Sequence, residues 1–233
     1  MLAAWRRDVR AAMERDPAAR SALTVALSYP GVHAIWGHRV SQWLWHRHAR
    51  LLARLCAELT RMLTGVEIHP AATLGPGLFI DHATGVVIGE TTQIGADVTI
   101  YQGVTLGGTS AETGKRHPTL GDRVIIGAGA KVLGPIRVGD DSRIGANAVV
   151  VKAVPAGSVV VGVPGQIIAR SRPRAATALP RTDDALLPDL VAESLETLFR
   201  RVDQLEMLTG GHLAGHIIHP PEAGIWHGED FSI

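Results

Sequence analysis

Aliphatic residues recur at every sixth position through the middle of this 233-residue chain. The series slips once by two residues and is interrupted once by an insertion; its members are Ile68, Leu74, Ile80, Val86, Ile88, Ile94, Ile100, Leu106, Leu120, Ile126, Val132, Val138, Ile144 and Val150. The residue directly after each aliphatic position is also patterned. In three sets of three hexapeptides it is glycine twice and then a large residue, as in Gly89, Gly95 and Tyr101, which gives a period of eighteen residues. This pattern predicts a three-sided parallel β-helix of hexapeptide repeats over residues 68–151, with the aliphatic side chains inside and glycine at the tight bends.

The residues before the repeat have the spacing of helices. Apolar residues recur at helical intervals at Leu51, Leu52, Leu55, Leu59 and Leu63. Asp16-Pro17 predicts the start of a helix, because an N-cap residue precedes a proline suited to the first helical position. Tyr29-Pro30-Gly31 predicts a break between two helices.

The residues after the repeat read as a linker, a helix and a tail. Apolar residues in 188–208 alternate spacings of four and three, which is typical of a coiled-coil seam: Val191, Leu195, Leu198, Val202 and Leu205. We therefore predict an α-helical domain over residues 1–66, a β-helix over 67–169, and a linker, amphipathic helix and C-terminal tail over 170–233.

Composition and charge exclude several classes of function. A net charge of +1 gives no sign of nucleic-acid binding. No apolar run approaches the length needed to span a membrane, and charges interrupt residues 1–20 where a signal peptide would lie. Cys56 is the only cysteine, so we expect no internal disulfide and a cytoplasmic location.

Candidate catalytic residues lie where the repeat is interrupted, since loops of a solenoid are natural sites of function. His82 precedes the slip and is a candidate general base. Glu67, fifteen residues earlier, should lie near the same corner and could orient the imidazole, although a solvated charge is the simpler alternative. Arg116 and His117, in the insertion beside Lys115, suit a carboxylate or phosphate ligand, although an ordinary exposed basic loop would have the same composition.

A metal site is the weaker hypothesis. His69, His82 and His117 are the only histidines in the repeat, and none pair at a spacing typical of zinc ligands. We therefore expect no metal. Cys56 lies in an apolar helical run and is better explained as a small packed residue than as a nucleophile.

Several motifs resemble the bacterial serine O-acetyltransferase family over nearly the whole chain. They are Asp16-Pro17, Gly31-Val32-His33-Ala34, Glu67-Ile68-His69-Pro70, Asp81-His82-Ala83-Thr84-Gly85, Val104-Thr105-Leu106-Gly107-Gly108-Thr109, Lys115-Arg116-His117-Pro118 and Gly127-Ala128-Gly129-Ala130-Lys131. Single hexapeptides are common to many acyltransferases. The combination of Asp-His-Ala-Thr-Gly with Arg-His-Pro is much more specific to this family.

The resemblance implies an α+β fold, in which an N-terminal α-helical domain precedes a left-handed parallel β-helix and a C-terminal helix with a flexible tail. It implies transfer of acetyl from acetyl-CoA to the hydroxyl of L-serine, giving O-acetyl-L-serine for cysteine biosynthesis, by direct attack without an acyl-enzyme. In that family His82 would be the base and Glu67 its partner, a position where many relatives have aspartate. His117 would assist near the oxyanion or the serine carboxylate.

The resemblance also assigns binding residues and partners. Arg116 would bind the serine carboxylate, and Asp16 with Asp81 the ammonium group. Acetyl-CoA would lie in a groove between neighbouring β-helices, along Gly108, Thr109, Ala128, Lys131 and Ala146. The family forms trimers or dimers of trimers, and the short N-terminal region favours a homotrimer here. L-cysteine would be a feedback inhibitor, and the terminal Ile233 would insert into the active site of O-acetylserine sulfhydrylase.

Three other readings compete with this one. A related β-helix acyltransferase could act on a sugar or an antibiotic. A zinc enzyme of the γ-carbonic-anhydrase type would share the repeat. A catalytically inactive scaffold is the third, and the presence of His82, Glu67 and His117 together argues against it.

Overall fold

The computed structural model describes residues 2–170 and 190–208. The chain divides into two compact units, Met1–Leu186 and Leu187–Ile233. Most of the predicted linker and the whole C-terminal tail with Ile233 lie outside the described residues.

Four helices precede the repeat: α1 Leu2–Arg15, α2 Ala22–Ser28, α3 Pro30–His46 and α4 Arg50–Thr64. The predicted break at Tyr29 is confirmed, since α2 ends one residue before it and α3 begins at Pro30. The predicted helix start at Asp16-Pro17 is wrong. Asp16 follows the end of α1, and its Oδ1 accepts the Ala18 N–H at 2.8 Å to form a turn. Ser21 caps α2 instead, accepting the Thr24 N–H at 3.1 Å.

Short strands then build the coil. They are β1 Glu67–Ile68, β2 Thr73–Leu74, β3 Phe79–Ile80, β4 Val87–Ile88, β5 Gln93–Ile94, β6 Thr99–Ile100, β7 Thr105–Gly107, β8 Thr119–Leu120, β9 Ile125–Ile126, β10 Lys131–Leu133, β11 Arg137–Val138, β12 Arg143–Ile144, β13 Val149–Val150, β14 Ser158–Val161 and β15 Gln166–Arg170. Every third strand stacks in parallel, giving sheet A (β1, β4, β7, β10, β13), sheet B (β2, β5, β8, β11) and sheet C (β3, β6, β9, β12, β14). The antiparallel β15 ends sheet C. The three-sided β-helix predicted from the period is confirmed.

The register shows where the coil departs from eighteen residues. Val87 pairs with Thr105 and Lys131 with Val149, each eighteen residues on. Glu67 pairs with Val87, twenty residues on, because of the two-residue slip. Thr105 pairs with Lys131, twenty-six residues on, because of the insertion. Both interruptions lie at corners: residues 81–86 turn from sheet C to sheet A (the C–A corner), and residues 107–118 turn from sheet A to sheet B (the A–B corner).

The aliphatic series fills the interior of the coil. On sheet A the column Ile68, Ile88, Leu106, Val132 and Val150 is buried throughout. Burial of each such side chain contributes roughly 1.5–3 kcal/mol to folding, so the column fixes which residue faces inward.

The glycines after these residues have a different role from the one predicted. A Cβ on Gly95 would lie 2.6 Å from the Gly121 carbonyl carbon, and one on Gly127 would lie 2.6 Å from the Ala146 nitrogen. These glycines therefore allow successive coils to approach closely. Left-handed turns are made elsewhere, at residues that include Asp97 (φ 57°) and Asn147 (φ 56°).

Ion pairs and close packing hold the helices to the coil. Asp97, at the turn from sheet B to sheet C, accepts Arg7 at 3.1 Å and Arg15 at 3.1 Å. Arg15 also donates to the Val98 carbonyl at 3.1 Å. Gly31, at the start of α3, packs so closely on β3 that a Cβ there would meet the Ile80 carbonyl oxygen.

Helix α4 exposes a row of large apolar side chains. Leu51, Leu52, Leu55, Leu59, Met62 and Leu63 are each between 56% and 77% exposed in the single chain. In the second unit, α5 spans Leu190–Leu208, and its Leu198 and Val202 are also exposed. Within the described ranges, no helix has the length and apolar character required to cross a bilayer.

Replacing Asp97 by asparagine should destabilise the protein. Asparagine tolerates the left-handed φ, so the change removes charge while keeping the turn. It leaves the Arg15 guanidinium, only 2% exposed, without its counter-charge, and we expect a loss of about 2–3 kcal/mol in urea unfolding followed by circular dichroism. Arg61→Ala, which breaks the exposed α4 pair with Glu58, is the control and should change little. Equal effects of the two changes would contradict this account.

Candidate active site

His82 lies at the C–A corner in an unusual backbone conformation. Its φ is 56° and that of Ala83 is 54°, both in the left-handed region that few residues other than glycine adopt. Asp81 Oδ1 accepts the His82 N–H at 2.9 Å, which fixes the start of the turn. The side chain of His82 is exposed and Ala83 is buried, so the turn presents the imidazole to solvent.

Two carboxylates converge beside His82. The Tyr29 hydroxyl donates to Asp16 Oδ2 at 2.5 Å, and this bond is the main reason that the pKa of Tyr29 rises to about 12. Burial raises the pKa of Asp81, nearby His82 lowers it, and the negative charge of Asp16 raises it further. Asp16 and Asp81 therefore share one acidic surface at this corner, as the sequence interpretation requires of an ammonium site.

Glu67 lies at the same corner. It is the first residue of β1. Two residues before it, the Gly65 carbonyl accepts the N–H of Gly85, in the same turn as His82, at 2.9 Å. The Glu67 side chain is exposed. Within residues 2–170 no hydrogen bond joins it to His82, so this conformation brings the two residues to one corner without pairing them.

Three of the residues expected to bind acetyl-CoA continue this corner along the coil. Ala128 and Ala146 lie in the turns that lead into β10 and β13, and Lys131 is the first residue of β10. The Lys131 ammonium donates to the carbonyl of Gly103, which lies in the turn from β6 to β7, between the His82 turn and the Ala128 turn. The corner above His82 is therefore lined by small residues with one cation beside them.

Arg116 lies at the A–B corner, in the insertion. Its guanidinium donates to Glu90 Oε2 at 2.5 Å, and this bond is the main reason that the pKa of Glu90 is lowered. Lys115 lies beside it and donates to the Pro118 carbonyl at 3.3 Å. Lys115 and Arg116 therefore lie side by side at this corner, with Glu90 paired to Arg116 and Glu112 earlier in the insertion.

His117 is buried next to Arg116. Its ring packs on Gly89, where a Cβ would lie 2.1 Å from Nε2. Burial is the main cause that lowers the pKa of His117; the positive charge of Arg116 lowers it further, and Glu90 acts in the opposite direction. Gly108 and Thr109 belong to the same insertion, and a Cβ on Gly108 would lie 3.3 Å from His117 Nε2.

The structure divides the predicted residues between two corners of one chain. Asp16, Glu67, Asp81, His82, Ala128, Lys131 and Ala146 belong to the C–A corner, whereas Gly108, Thr109, Arg116 and His117 belong to the A–B corner. Residues 86–89 span the side of the coil between the corners, roughly 13 Å at the rise of an extended strand. One chain therefore does not bring Asp16 and Asp81 together with Arg116.

Sequence reasoning missed two residues of this site. Glu90 lies twenty-six residues before Arg116, which is one coil including the insertion, so counting register through the insertion would have found it. Tyr29 was interpreted only as a helix break, and no local pattern pairs it with Asp16. Among the described residues, no group of three histidine, cysteine, aspartate or glutamate side chains is arranged to hold a metal ion.

Known proteins are similar to this chain in sequence and in fold. Residues 117–152 match the family described as bacterial transferase hexapeptide (six repeats), and residues 85–110 match the hexapeptide repeat of succinyl-transferase. A serine acetyltransferase of Mycobacterium tuberculosis is 66% identical over 233 residues, covering 100% of both chains. The solved serine acetyltransferase of Brucella abortus in complex with coenzyme A is 44% identical with a TM-score of 0.72, over 73% of this chain and 68% of that one. A solved serine acetyltransferase in complex with cysteine is 44% identical with a TM-score of 0.73, over 73% of this chain and 66% of that one.

The pKa of His117 should respond in opposite directions to its two charged neighbours. Arg116→Gln removes a positive charge that disfavours the imidazolium, so the pKa should rise. Glu90→Gln removes a negative charge that favours it, so the pKa should fall. Titration of the His117 ring proton by NMR measures both. Arg20→Gln, at an exposed position between α1 and α2, is the control and should leave the titration unchanged. Shifts of the same sign in Arg116→Gln and Glu90→Gln would exclude the proposed electrostatic origin.

Proposed function

The chain belongs to the serine acetyltransferase family, and from that premise we propose how its two corners divide the work of acetyl transfer. It is an acyltransferase that uses acetyl-CoA and serine, and its N-terminal helices precede a left-handed parallel β-helix. The assignments of individual residues that follow are our proposal.

His82 is the general base. As the serine hydroxyl oxygen attacks the thioester carbonyl, His82 accepts the hydroxyl proton, and it returns that proton to the departing CoA thiolate. No acyl-enzyme forms, because the hydroxyl attacks acetyl-CoA directly. Exposure of the imidazole at a turn supports this role. Glu67, exposed at the same corner, stabilises the imidazolium by pairing with it after a change of side-chain rotamer.

The two ends of serine are bound by the two corners. Asp16 and Asp81 bind the ammonium group, Arg116 binds the carboxylate, and His117 donates to the carboxylate or to the developing oxyanion. The observation that carries this proposal is the separation of the two binding groups: Asp16 and Asp81 lie at the C–A corner, and Arg116 lies one side of the coil away. A serine molecule is too short to reach both within one chain.

Each active site is therefore shared by two copies in a homotrimer. The C–A corner of one copy faces the A–B corner of the next, and a threefold axis repeats the arrangement three times. The row of exposed leucines on α4 supports association, since a monomer rarely exposes so large an apolar surface. We propose a trimer rather than a dimer of trimers.

Acetyl-CoA lies in the groove between these copies. Ala128, Ala146 and Lys131 of one chain line it opposite Gly108 and Thr109 of the next. Small side chains along the C–A corner leave room for an extended ligand, and Lys131 supplies a cation for its phosphates.

Regulation and partners follow from the same chemistry. L-cysteine has the same ammonium and carboxylate groups as serine, and we propose it as a feedback inhibitor at the serine site. A related enzyme was solved in complex with cysteine, which supports this. The terminal Ile233 binds O-acetylserine sulfhydrylase through its side chain together with its carboxylate. The lone thiol of Cys56 suits a cytoplasmic enzyme.

Mixed trimers test the shared site. His82→Ala and His117→Ala should each lower turnover of serine and acetyl-CoA at least a hundredfold, measured by release of CoA thiol. Co-expression of the two variants in equal amounts should restore about a quarter of wild-type activity. About three-quarters of randomly assembled trimers contain both variants, and each of these holds one site of three with both histidines intact. Light scattering controls for assembly. Trimers that form but stay as inactive as the separate variants would refute the shared site.

Deletion of Ile233 tests the tail. It should abolish binding to O-acetylserine sulfhydrylase in calorimetry, because the new terminus lacks the isoleucine side chain, and it should leave acetyl transfer unchanged. Ser232→Ala, which keeps the terminal residue, is the control. Undiminished binding after the deletion would exclude this mode of association.

A further inference from the structure

Thr91, at the A–B corner, makes an unusual number of hydrogen bonds to the insertion. Its Oγ1 accepts the backbone N–H groups of Arg116 and His117, each at 3.1 Å. The same oxygen lies 2.9 Å from His117 Nδ1. The backbone nitrogen of Thr91 donates to that Nδ1 atom at 3.2 Å. Lys115 donates to the Thr91 carbonyl at 2.6 Å. One residue therefore contacts the three basic residues of the insertion.

These bonds determine which ring nitrogen of His117 carries the proton. A backbone N–H can only donate, so His117 Nδ1 must accept from Thr91. The Thr91 hydroxyl already accepts two N–H groups, which leaves its own proton directed at Nδ1 as well. The neutral ring is consequently protonated at Nε2. A proton on Nδ1 would oppose two donors, so these contacts also disfavour the imidazolium.

The Nε2–H group is the only donor that the ring can then offer to a bound molecule. It lies between Gly89 and Gly108, where added Cβ atoms would be 2.1 and 3.3 Å from it. Both glycines leave that edge of the ring uncovered by side chains. A neutral ring held in this tautomer donates a hydrogen bond and cannot accept a proton at Nε2.

We propose that Thr91 is a positioning residue of the acetyl-transfer site, which holds His117 as an Nε2–H donor and fixes Arg116 beside it. This rests on the proposed function of that corner. It divides the work of the two histidines, because His82 alone can act as a base and His117 can only donate to an anionic group of the substrate.

Thr91→Val removes the hydroxyl while keeping the shape of the side chain. We expect kcat/KM for serine to fall about tenfold to a hundredfold, with the KM for acetyl-CoA within about twofold. Thr91→Ser keeps the hydroxyl and should restore most of the activity. Thr92→Val is the matched control: its buried Oγ1 has no hydrogen-bond partner among the described residues, so its loss should not change activity.

The tautomer is measured independently of activity. In protein labelled with ¹⁵N-histidine, two-bond proton–nitrogen correlations distinguish an Nε2–H ring from an Nδ1–H ring. Wild-type His117 should show Nε2–H. Thr91→Val keeps the backbone N–H but loses the hydroxyl that holds the Arg116 and His117 N–H groups, so the ring should move away from that N–H and populate both forms. An Nδ1–H ring in the wild type would overturn the proposal, and so would full activity of Thr91→Val. The first measurement uses only the wild type, so it tests the proposal even if Thr91→Val folds poorly. Absence of serine acetylation by the wild type would instead count against the proposed function.

Discussion

Backbone hydrogen bonds between successive coils, in one fixed register, are the constraint on which this protein depends. The N–H of Gly89 donates to the Leu106 carbonyl at 3.0 Å and that of Tyr101 to the Ile126 carbonyl at 3.1 Å, and the same pattern repeats along the coil. A slip of one residue would turn every inward aliphatic side chain outward. Extra residues can therefore leave the coil only at its corners. The two-residue slip and the longer insertion do so, and His82 and His117 lie at those two corners, outside the aliphatic core.

The helices complete one of these corners. Helix α1 ends where Asp16 can reach the coil, and it is held there by the pairing of Arg15 with Asp97. The junction of α2 and α3 brings Tyr29 to Asp16. Asp16 and Asp81 at the C–A corner are thus brought together from positions far apart in sequence, whereas Lys115 and Arg116 at the A–B corner belong to one continuous loop. The two groups lie at different corners of one coil, and this is the physical reason for proposing a site shared between copies.

The sequence predicted those features of the fold that the register of the coil determines. The inward positions, the three sides and the two interruptions follow from a six-residue period, because burial repeats with it. Glycine positions such as Gly95 were found for the wrong reason: the period marks where coils approach closely, and the left-handed turns fall on other residues. Asp16 could not be interpreted locally, since the same carboxylate can cap a helix or close a turn. Glu90 and Thr91 face Arg116 and His117 only after the insertion is counted as part of one coil.

The left-handed backbone at His82 and Ala83 has a consequence for how this protein can change over generations. Two adjacent residues with a Cβ in that region together cost on the order of 2 kcal/mol relative to glycine. Selection for stability alone would favour glycine at both positions, and at the first of them it would erase the imidazole. With His82 as the base that we propose, folding and chemistry compete for the same residue in this turn. A lineage that no longer needed the reaction would then gain stability by losing that histidine, and glycine at position 82 would mark a descendant that has lost the base.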